Sequence, residues 1–299
     1  RRLHRSQIRT FLLYDKRLNA REHLTKVALN DCWFLSAAND LQEIVISDKV
    51  KAREICKSSI QRLINGPSDI LVRINAPLRL AVRDIEAVTQ PGLKGLLLPK
   101  VESAGILMAM DELLTSVEEE RGMNIGQIKT IPMLETPKAL LSAEKIAGSI
   151  NRNIGLILGG EDFATSAGLY PSAETLSYPK IQMALAAKAA GLMPLGILDT
   201  VADFSDADYM FEVAKKSANF GFEGATCIHP TMIDALNRGF SPTCEEVNEA
   251  ELIIEVMEDA WQNNHGAAQI NGKMIDMPVY KRAQAVLRRA ELIKEKQSP

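Results

Sequence analysis

Acidic side chains follow directly after two apolar, strand-like runs in this 299-residue sequence. Glu135 follows Leu134 in "PMLETP", and Glu161 and Asp162 follow the run "IGLILGG". Carboxylates brought close together repel each other unless a proton or a cation lies between them. Carboxylate and water oxygens are the ligands that a hard divalent cation such as Mg²⁺ prefers. The pattern indicates either a divalent-metal site or acidic helix starts, with Asp162 as a cap, because carboxylates are common in the first turn of a helix.

Other polar side chains also stand at the ends of strand-like runs. Arg73 in "RIN" needs an anionic partner, which is either a structural ion pair with Glu102 or Asp84 or the anion of a substrate. Lys100 in "LPKVE" suggests a Schiff-base lysine, but Glu102 two residues later favours a paired lysine. His229 in "CIHP" has no second histidine or cysteine at ligand spacing, which argues against a metal role for it.

Short β-like runs alternate with amphipathic helical stretches along most of the chain. Eight strands that are each followed by a helix predict a parallel sheet, and eight strands close a (β/α)8 TIM barrel. An open, doubly wound sheet is the alternative, because periodicity alone does not establish closure. The predicted strands are Thr10–Tyr14, Cys32–Ser36, Ile70–Asn75, Gly95–Lys100, Ile128–Leu134, Ile154–Gly159, Leu195–Val201 and Ala225–His229.

A barrel would bring the polar strand ends together, because the carboxyl ends of its strands open into one mouth. The helical patterns between the strands include Asp48–Leu63, Ala104–Glu120, Pro137–Ile146, Leu176–Ala190, Ala207–Asn219 and Thr231–Asn237. Within the third of these, Thr136 followed by Pro137 is a favourable helix start. It accounts for the threonine but not for Glu135 beside it.

The pattern changes after Phe240. Cys244–Asn263 predicts one long helix, residues 265–278 an extended arm and Val279–Lys294 a final helix. We therefore predict two domains, a (β/α)8 barrel catalytic domain over residues 1–240 and a C-terminal helical extension over residues 241–299. The extension would serve assembly or cover a site.

Composition excludes some partners and suggests a compartment. The net charge is −3 and no apolar run approaches the roughly 20 residues that span a bilayer, so we expect neither nucleic acid nor membrane as a partner. The four cysteines lack C-x-x-C spacing, which suggests reduced thiols and a cytoplasmic location. The arginine-rich start "RRLHRSQIR" has the composition of a mitochondrial presequence, so the mitochondrial matrix is the alternative in a eukaryote.

Seven short motifs together resemble a known family. In order they are "RIN", "LPKVE", "LETP", "GGEDFATSAG", "ADFSD", "GFEGATCIHP" and "NGKMIDMP". They resemble the citrate lyase β-subunit-like proteins, which are CoA-ester lyases of the HpcH/HpaI aldolase superfamily and include malyl-CoA and citramalyl-CoA lyases. The resemblance covers nearly the whole chain. It implies a (β/α)8 barrel with a C-terminal arm, dependence on Mg²⁺ and usually a homotrimer.

The resemblance also implies roles for particular residues. Glu135 and Asp162 would bind the metal, and Glu135 would also contact the substrate. Arg73 would lie at the substrate carbonyl, where it can stabilise a developing thioester enolate. Magnesium would orient the 2-oxo acid fragment and stabilise negative charge on its oxygen.

Further residues would complete the site by the same resemblance. Glu161 and the backbone around Ile228 and His229 would line the entrance for the substrate and CoA. Asp276 would reach into a neighbouring subunit's site and act as the general acid. We expect burial in a subunit interface to raise its pKa.

The N-terminal fifth departs from the family pattern. "LLY" is followed by "DKRLNA" in place of a "VPG"-like loop that helps to hold CoA. "FLSAANDLQEIV" has Gln42 and Glu43 where the family has glutamate and aspartate near the metal's water shell. The resemblance implies a lyase that cleaves a 3-hydroxyacyl-CoA thioester of malyl-CoA or citramalyl-CoA type into a 2-oxo acid and an acyl-CoA. The alternatives are a citrate lyase β subunit acting on a carrier-protein thioester and a non-catalytic relative.

Overall fold

The computed structural model describes residues 10–12, 49–66, 69–200 and 205–297. The predicted strand Cys32–Ser36 and the two atypical N-terminal segments lie outside the described residues. The chain divides into two compact units, with the boundary between Gly239 and Phe240. No described helix is long and apolar enough to cross a bilayer.

The first unit contains seven described parallel strands, which follow one another in the order of a barrel. Strands β2 to β6 form one sheet, β7 pairs with β1, and a parallel bridge between Leu195 and Gly224 links β6 to the start of β7. The strands are β1 Thr10–Leu12, β2 Ile70–Arg73, β3 Leu93–Leu98, β4 Lys129–Leu134, β5 Gly155–Leu158, β6 Met193–Leu195 and β7 Ala225–Cys227.

These strands form because consecutive apolar residues can be buried on both faces of a covered parallel sheet. Leu96, Leu97 and Leu98 of β3 are all buried, although their side chains alternate between the two faces. Strand β6 lies earlier than predicted, at 193–195 and not 195–201. It ends before Gly196, whose φ of 144° is a conformation that other residues rarely adopt.

Helices follow the strands, as the alternating pattern predicts. The predicted helix Pro137–Ile146 is divided at Ser142 into two short helices. The described helices of this unit are α1 Lys49–Leu63, α2 Leu78–Val88, α3 Ala104–Glu120, α4 Pro137–Leu141, α5 Ala143–Ala147, α6 Gly160–Ala167, α7 Ala173–Ala189, α8 Ala207–Asn219 and α9 Ile233–Gly239, with a 3₁₀ turn at Pro230–Met232.

A buried ion network lies at the amino ends of β4 and β5. The Glu118 carboxylate accepts backbone N–H bonds from Gly126 and Ile128, each at 2.7 Å, and pairs with Arg152 at 2.8 Å. Arg152 also pairs with Asp111. These ion pairs and hydrogen bonds offset much of the free-energy cost of removing the charged groups from water. The network joins α3 to the two following strands at the edge opposite their carboxyl ends.

The second unit holds two helices and a hairpin. Helix α10 spans Cys244–Gln262 and starts at a capping box of Thr243 and Glu246, while α11 spans Met277–Gln297. Residues 265–278, predicted as an extended arm, instead include the antiparallel strands β8 Ala268–Ile270 and β9 Lys273–Ile275. Asn271 and Gly272 turn the chain with φ of 50° and 78°, as a two-residue hairpin loop requires.

Candidate active site

Glu135 follows the last residue of β4 and is only 3% exposed. Its Oε2 accepts a hydrogen bond from the backbone N–H of Lys100 at 3.0 Å. Lys100 follows β3 with φ of 51°, which is uncommon for a residue other than glycine. The end of the neighbouring strand is thus shaped so that its backbone contacts the buried carboxylate.

Asp162 lies in the first turn of α6, after the carboxyl end of β5. Its Oδ1 is 3.2 Å from Lys100 Nζ, and its side chain is about half exposed. The hypothesis that Asp162 caps this helix is wrong, because the cap position is Gly159 and the helix has no side-chain cap. The cap predicted at Thr136 is confirmed, since its hydroxyl accepts from the Ala139 N–H at 3.2 Å.

The two glycines between β5 and the acids have tight surroundings. A Cβ on Gly159 would lie 2.7 Å from Glu135 Cγ, closer than real Cβ atoms approach. A Cβ on Gly160 would lie 3.1 Å from Leu176 Cδ1 and 3.5 Å from Lys180 Nζ. The backbone passes between the buried carboxylate and helix α7, where a Cβ on Gly159 would force the Glu135 side chain to move and a Cβ on Gly160 would make a tight contact.

Burial and like charge act together on Glu135. Burial and, to a smaller extent, the Asp162 carboxylate together raise the pKa of Glu135 to about 7, against the opposing effects of Lys100 and Arg73. The structure therefore brings Glu135, Asp162 and Arg73 into one electrostatic cluster at the carboxyl ends of β2, β4 and β5. Within this cluster, the Lys100 ammonium forms an ion pair with Asp162.

The two carboxylates that the sequence offered as structural partners for Arg73 have other contacts. Glu102 pairs with Lys138 at 3.0 Å and accepts from the Thr136 hydroxyl. Asp84, which is fully buried, pairs with Arg53 at 2.7 Å. Arg73 itself lies close enough to Glu135 to lower the pKa of that carboxyl.

The strand end that carries Arg73 is fixed by a network that sequence reasoning missed. Asp84 of α2 accepts hydrogen bonds from the backbone and the side-chain amide of Asn75. The ammonium of Lys49, on α1, donates to the Asn75 side chain. Asn75 and Asp84 are nine residues apart in the sequence. The only local signal for this network is Asn75 itself, a polar residue at the end of an apolar run in "RIN".

Glu161 is joined to the loop after β6. Thr200 Oγ1 donates to Glu161 Oε1, and the Thr200 N–H donates to the Asp199 carboxylate at 2.7 Å. The Tyr209 hydroxyl, from α8, donates to the same carboxylate. Lys180 donates to the Asp199 carbonyl, and burial lowers the pKa of this lysine to about 8. The sequence analysis missed Lys180, Asp199, Thr200 and Tyr209, because each has the residue type of an ordinary loop or helix position.

Ile228 and His229 follow β7 and are partly exposed at the same edge of the sheet. His229 Nδ1 lies 2.8 Å from Thr231 Oγ1, and the His229 carbonyl accepts from the Cys227 thiol at 2.9 Å. These contacts hold the carbonyl and the ring of His229. Their assignment to the substrate entrance stays a prediction.

Asp276 belongs to the second unit and lies between β9 and α11. Its Oδ1 accepts a hydrogen bond from the Val279 N–H at 3.2 Å, which is a helix-capping contact. Its side chain is partly exposed. Within its own chain Asp276 therefore caps the final helix, and the role in a neighbouring subunit stays a prediction.

The residues present suit a hard divalent cation. The described part of the chain has no cluster of three or more histidine, cysteine or acidic side chains that could hold a metal. Magnesium, however, commonly keeps several waters and binds through one or two carboxylates together with its substrate. Glu135 and Asp162 supply two carboxylates whose mutual repulsion a cation would relieve.

Comparisons with known proteins agree on one family. The model of the HpcH/HpaI aldolase/citrate lyase family matches residues 39–230. The citrate lyase subunit beta of Leuconostoc mesenteroides subsp. cremoris is 32% identical over 256 residues, which cover 84% of each chain. The mitochondrial citramalyl-CoA lyase of Homo sapiens is 32% identical over 270 residues, covering 85% of this chain and 77% of that protein.

The fold is shared with solved structures. The CitE protein of Mycobacterium tuberculosis, in complex with magnesium, acetoacetate and coenzyme A, aligns with a TM-score of 0.73 at 26% identity. The alignment covers 96% of this chain and all of that one. Together with the order of the described strands, this likeness confirms the predicted (β/α)8 barrel with a C-terminal helical arm.

The first prediction concerns the buried charge of Glu135. Because its pKa is about 7 in the folded chain and near 4.5 ordinarily, the folded state binds more protons between these values. Stability of the metal-free protein should fall by about 3 kcal/mol as the pH rises from 4.5 to 7, and then level off. Glu135→Gln should remove this fall and be the more stable protein at pH 8, as measured by urea unfolding in EDTA.

Glu102→Gln is the matched control on the neighbouring strand end. Its hydrogen bond with Lys138 lowers the pKa of Glu102, so this substitution should not stabilise the protein at pH 8. If the free energy of unfolding of Glu135→Gln and of the wild type changed equally from pH 5 to 8, the burial of Glu135 would not cause the predicted loss of stability.

The second prediction concerns Gly159. A methyl group at this position should displace the Glu135 side chain and weaken binding of Mn²⁺, used as a probe for a hard cation, about 10- to 100-fold. Titration calorimetry on Gly159→Ala would measure this. Gly148→Ala is the control, because its added Cβ would make only an ordinary contact at 3.6 Å. Equal Mn²⁺ affinity in both variants would contradict the prediction.

Proposed function

This chain belongs to the HpcH/HpaI aldolase/citrate lyase family, and from that premise we propose that it is a Mg²⁺-dependent carbon–carbon lyase. Its substrate would be a 3-hydroxyacyl-CoA thioester of malyl-CoA or citramalyl-CoA type, cleaved into a 2-oxo acid and an acyl-CoA. The observation that carries the proposal is the buried Glu135 carboxylate, placed with Asp162 and Arg73 in one cluster at the mouth of the barrel.

Glu135 and Asp162 would hold the magnesium ion. When bound there, Mg²⁺ would polarise the oxygens of the 2-oxo acid fragment and stabilise negative charge on them. Glu135 is fixed by the Lys100 N–H, and Asp162 is held at the start of α6 next to Lys100 Nζ. Glu135 directly follows β4 and Asp162 lies in the first turn of α6, which limits their movement.

Arg73 would serve the thioester end of the substrate. Cleavage transfers the proton of the substrate hydroxyl to solvent water, breaks the C2–C3 bond and leaves its electron pair on the thioester as an enolate. A guanidinium at the end of β2 can donate hydrogen bonds to the enolate oxygen as its charge develops. The Asn75–Asp84 contacts hold the strand end that presents it.

The remaining proposed residues bind the substrate or complete the proton balance. Glu161, held by Thr200, and the backbone around Ile228 and His229 would line the substrate and CoA entrance. The enolate carbon must gain one proton, and we assign its delivery to Asp276 of a neighbouring subunit in a homotrimer. Residues 1–240 would then be the catalytic barrel and residues 241–299 an extension shared between subunits.

Location and partners are expectations of the same proposal. We expect a cytoplasmic protein, or a mitochondrial matrix protein in a eukaryote, that binds neither nucleic acid nor membranes. The citramalyl-CoA lyase relative of Homo sapiens is named as mitochondrial, and the citrate lyase relatives are bacterial.

A second candidate function rests on a specific similarity. The citrate lyase subunit beta of Leuconostoc mesenteroides is as similar to this chain, at 32% identity, as the citramalyl-CoA lyase of Homo sapiens. The alternative is therefore a β subunit that acts on a thioester of a carrier protein. An assay with the thioester on CoA and on a carrier protein distinguishes the two candidates.

The third prediction tests the function directly. The purified chain with Mg²⁺ should release a 2-oxo acid from at least one of malyl-, citramalyl-, methylmalyl- or citryl-CoA. Glu135→Gln and Asp162→Asn should each lower kcat/KM about 100-fold or more, because each removes a charged ligand of the metal. Glu102→Gln is the control for an acidic strand end outside the proposed site.

The outcomes separate the candidates. Turnover only with citryl thioester on a carrier protein would favour the second function. No turnover with any thioester would contradict both and support a non-catalytic relative. Near-normal activity in Asp162→Asn would overturn the assignment of the metal ligands.

The fourth prediction is that the active site is shared between chains. Asp276→Ala and Asp162→Asn should each be inactive alone, whereas separated hetero-oligomers of the two should recover activity, because some sites then combine an intact ligand with an intact acid. Lack of recovery in oligomers shown to be mixed and folded would place Asp276 within its own subunit's helix cap and outside catalysis.

A further inference from the structure

Lys180 is a buried lysine on the outer helix α7, with 5% of its surface exposed. Burying an ammonium group costs several kcal/mol unless other groups compensate it. Within the described ranges, the one hydrogen bond that Lys180 donates goes to a neutral acceptor, the Asp199 carbonyl. An apolar side chain would pack at such a position without this cost, so the charge calls for an explanation other than packing.

The ammonium lies beneath the turn that carries the proposed site residues. A Cβ on Gly160 would be 3.5 Å from Lys180 Nζ, so Lys180 approaches the start of α6 closely. The carboxylates of Asp199 and Glu161 both favour the charged form of Lys180 and oppose the effect of burial on its pKa. The lysine thus stands between the first turn of α6 and the loop that follows β6.

A continuous set of hydrogen bonds leads from Lys180 to Glu161. Lys180 holds the Asp199 carbonyl, and the side chain of Asp199 accepts bonds from the Thr200 N–H and the Tyr209 hydroxyl. Thr200 then donates its hydroxyl hydrogen to Glu161. Glu161 itself is exposed, and this hydrogen bond ties its side chain to the loop.

We propose that Lys180 is a positioning residue that fixes the Asp199–Thr200 loop against α6, orients Glu161 and thereby sets the affinity for the substrate. The proposal rests on the proposed function, because it takes Glu161 as part of the substrate entrance. Lys180 does not touch the reacting atoms. It therefore affects substrate binding and not the chemical step or the metal.

The fifth prediction compares Lys180→Met with three further variants. Lys180→Met keeps an unbranched side chain as far as Cε and removes the ammonium group, and it should raise KM about 10- to 100-fold while kcat changes less than about threefold. Its Mn²⁺ affinity, measured by titration calorimetry, should be unchanged. Lys180→Arg should recover most of the affinity because it can donate to the same carbonyl. Thr200→Val should give the same rise in KM, since it breaks the last link while Lys180 stays in place.

The double variant and a control sharpen the test. Lys180→Met combined with Thr200→Val should be no worse than either alone, because both act through one connection. Lys188→Met is the control, a lysine on the same helix whose ammonium pairs with Glu223 near the surface. It should leave KM unchanged. If Lys180→Met does not fold, the proposal is tested by the KM of Thr200→Val, which should rise and would contradict the proposal if unchanged.

Several results would overturn the proposal. These are an unchanged KM in Thr200→Val, additive effects in the double variant, or a loss of Mn²⁺ affinity in Lys180→Met. A wild-type protein inactive with every thioester would contradict the proposed function alone. The role of Lys180 would then be decided by crystal structures, in which the Thr200–Glu161 hydrogen bond should be lost in Lys180→Met and kept in Lys188→Met. Its retention in Lys180→Met would overturn the proposal.

Discussion

The carboxylate of Glu135 is held almost out of contact with water at the end of β4. A charge in that position is unfavourable, and the negative charge of Asp162 makes it more so. The surrounding structure reduces this penalty with a backbone N–H from Lys100 and with the nearby cationic side chains of Lys100 and Arg73. With the proposed metal bound, a divalent cation would compete with protons for the same oxygens.

The geometry that keeps Glu135 buried constrains its neighbours closely. At Gly159 the Glu135 side chain occupies the space that a Cβ would need, and at Gly160 side chains of α7 lie close to that space. Lys100 adopts a positive φ, which brings its N–H to the carboxylate and its ammonium to Asp162. Strained backbone of this kind persists where the surroundings hold it, and it is often found at functional sites. The packing and the chemistry of the mouth are therefore inseparable.

The sequence predicted the parts of this arrangement that depend on local pattern. Apolar runs located Glu135 at the end of a strand, and the Thr136–Pro137 start of α4 followed from the preferences of those residues. The contacts of Lys180 could not be predicted, because a polar residue on a helix is normally solvated and nothing local shows that it is buried. The hairpin at Asn271–Gly272 had a local signal, since this dipeptide favours a two-residue turn, but it was interpreted as an extended arm. The strand at 32–36 lies outside the described residues.

The Arg152–Glu118 network and the acidic cluster lie at opposite ends of the same strands. In a barrel, side chains at the amino ends of the strands serve stability, and those at the carboxyl ends serve chemistry. Substitutions among the loops of the mouth are thus separated from the interactions that join α3 to β4 and β5. Such a division lets one scaffold accumulate changes in substrate preference without losing its capacity to fold. Relatives that are named for different CoA thioesters can therefore share one architecture.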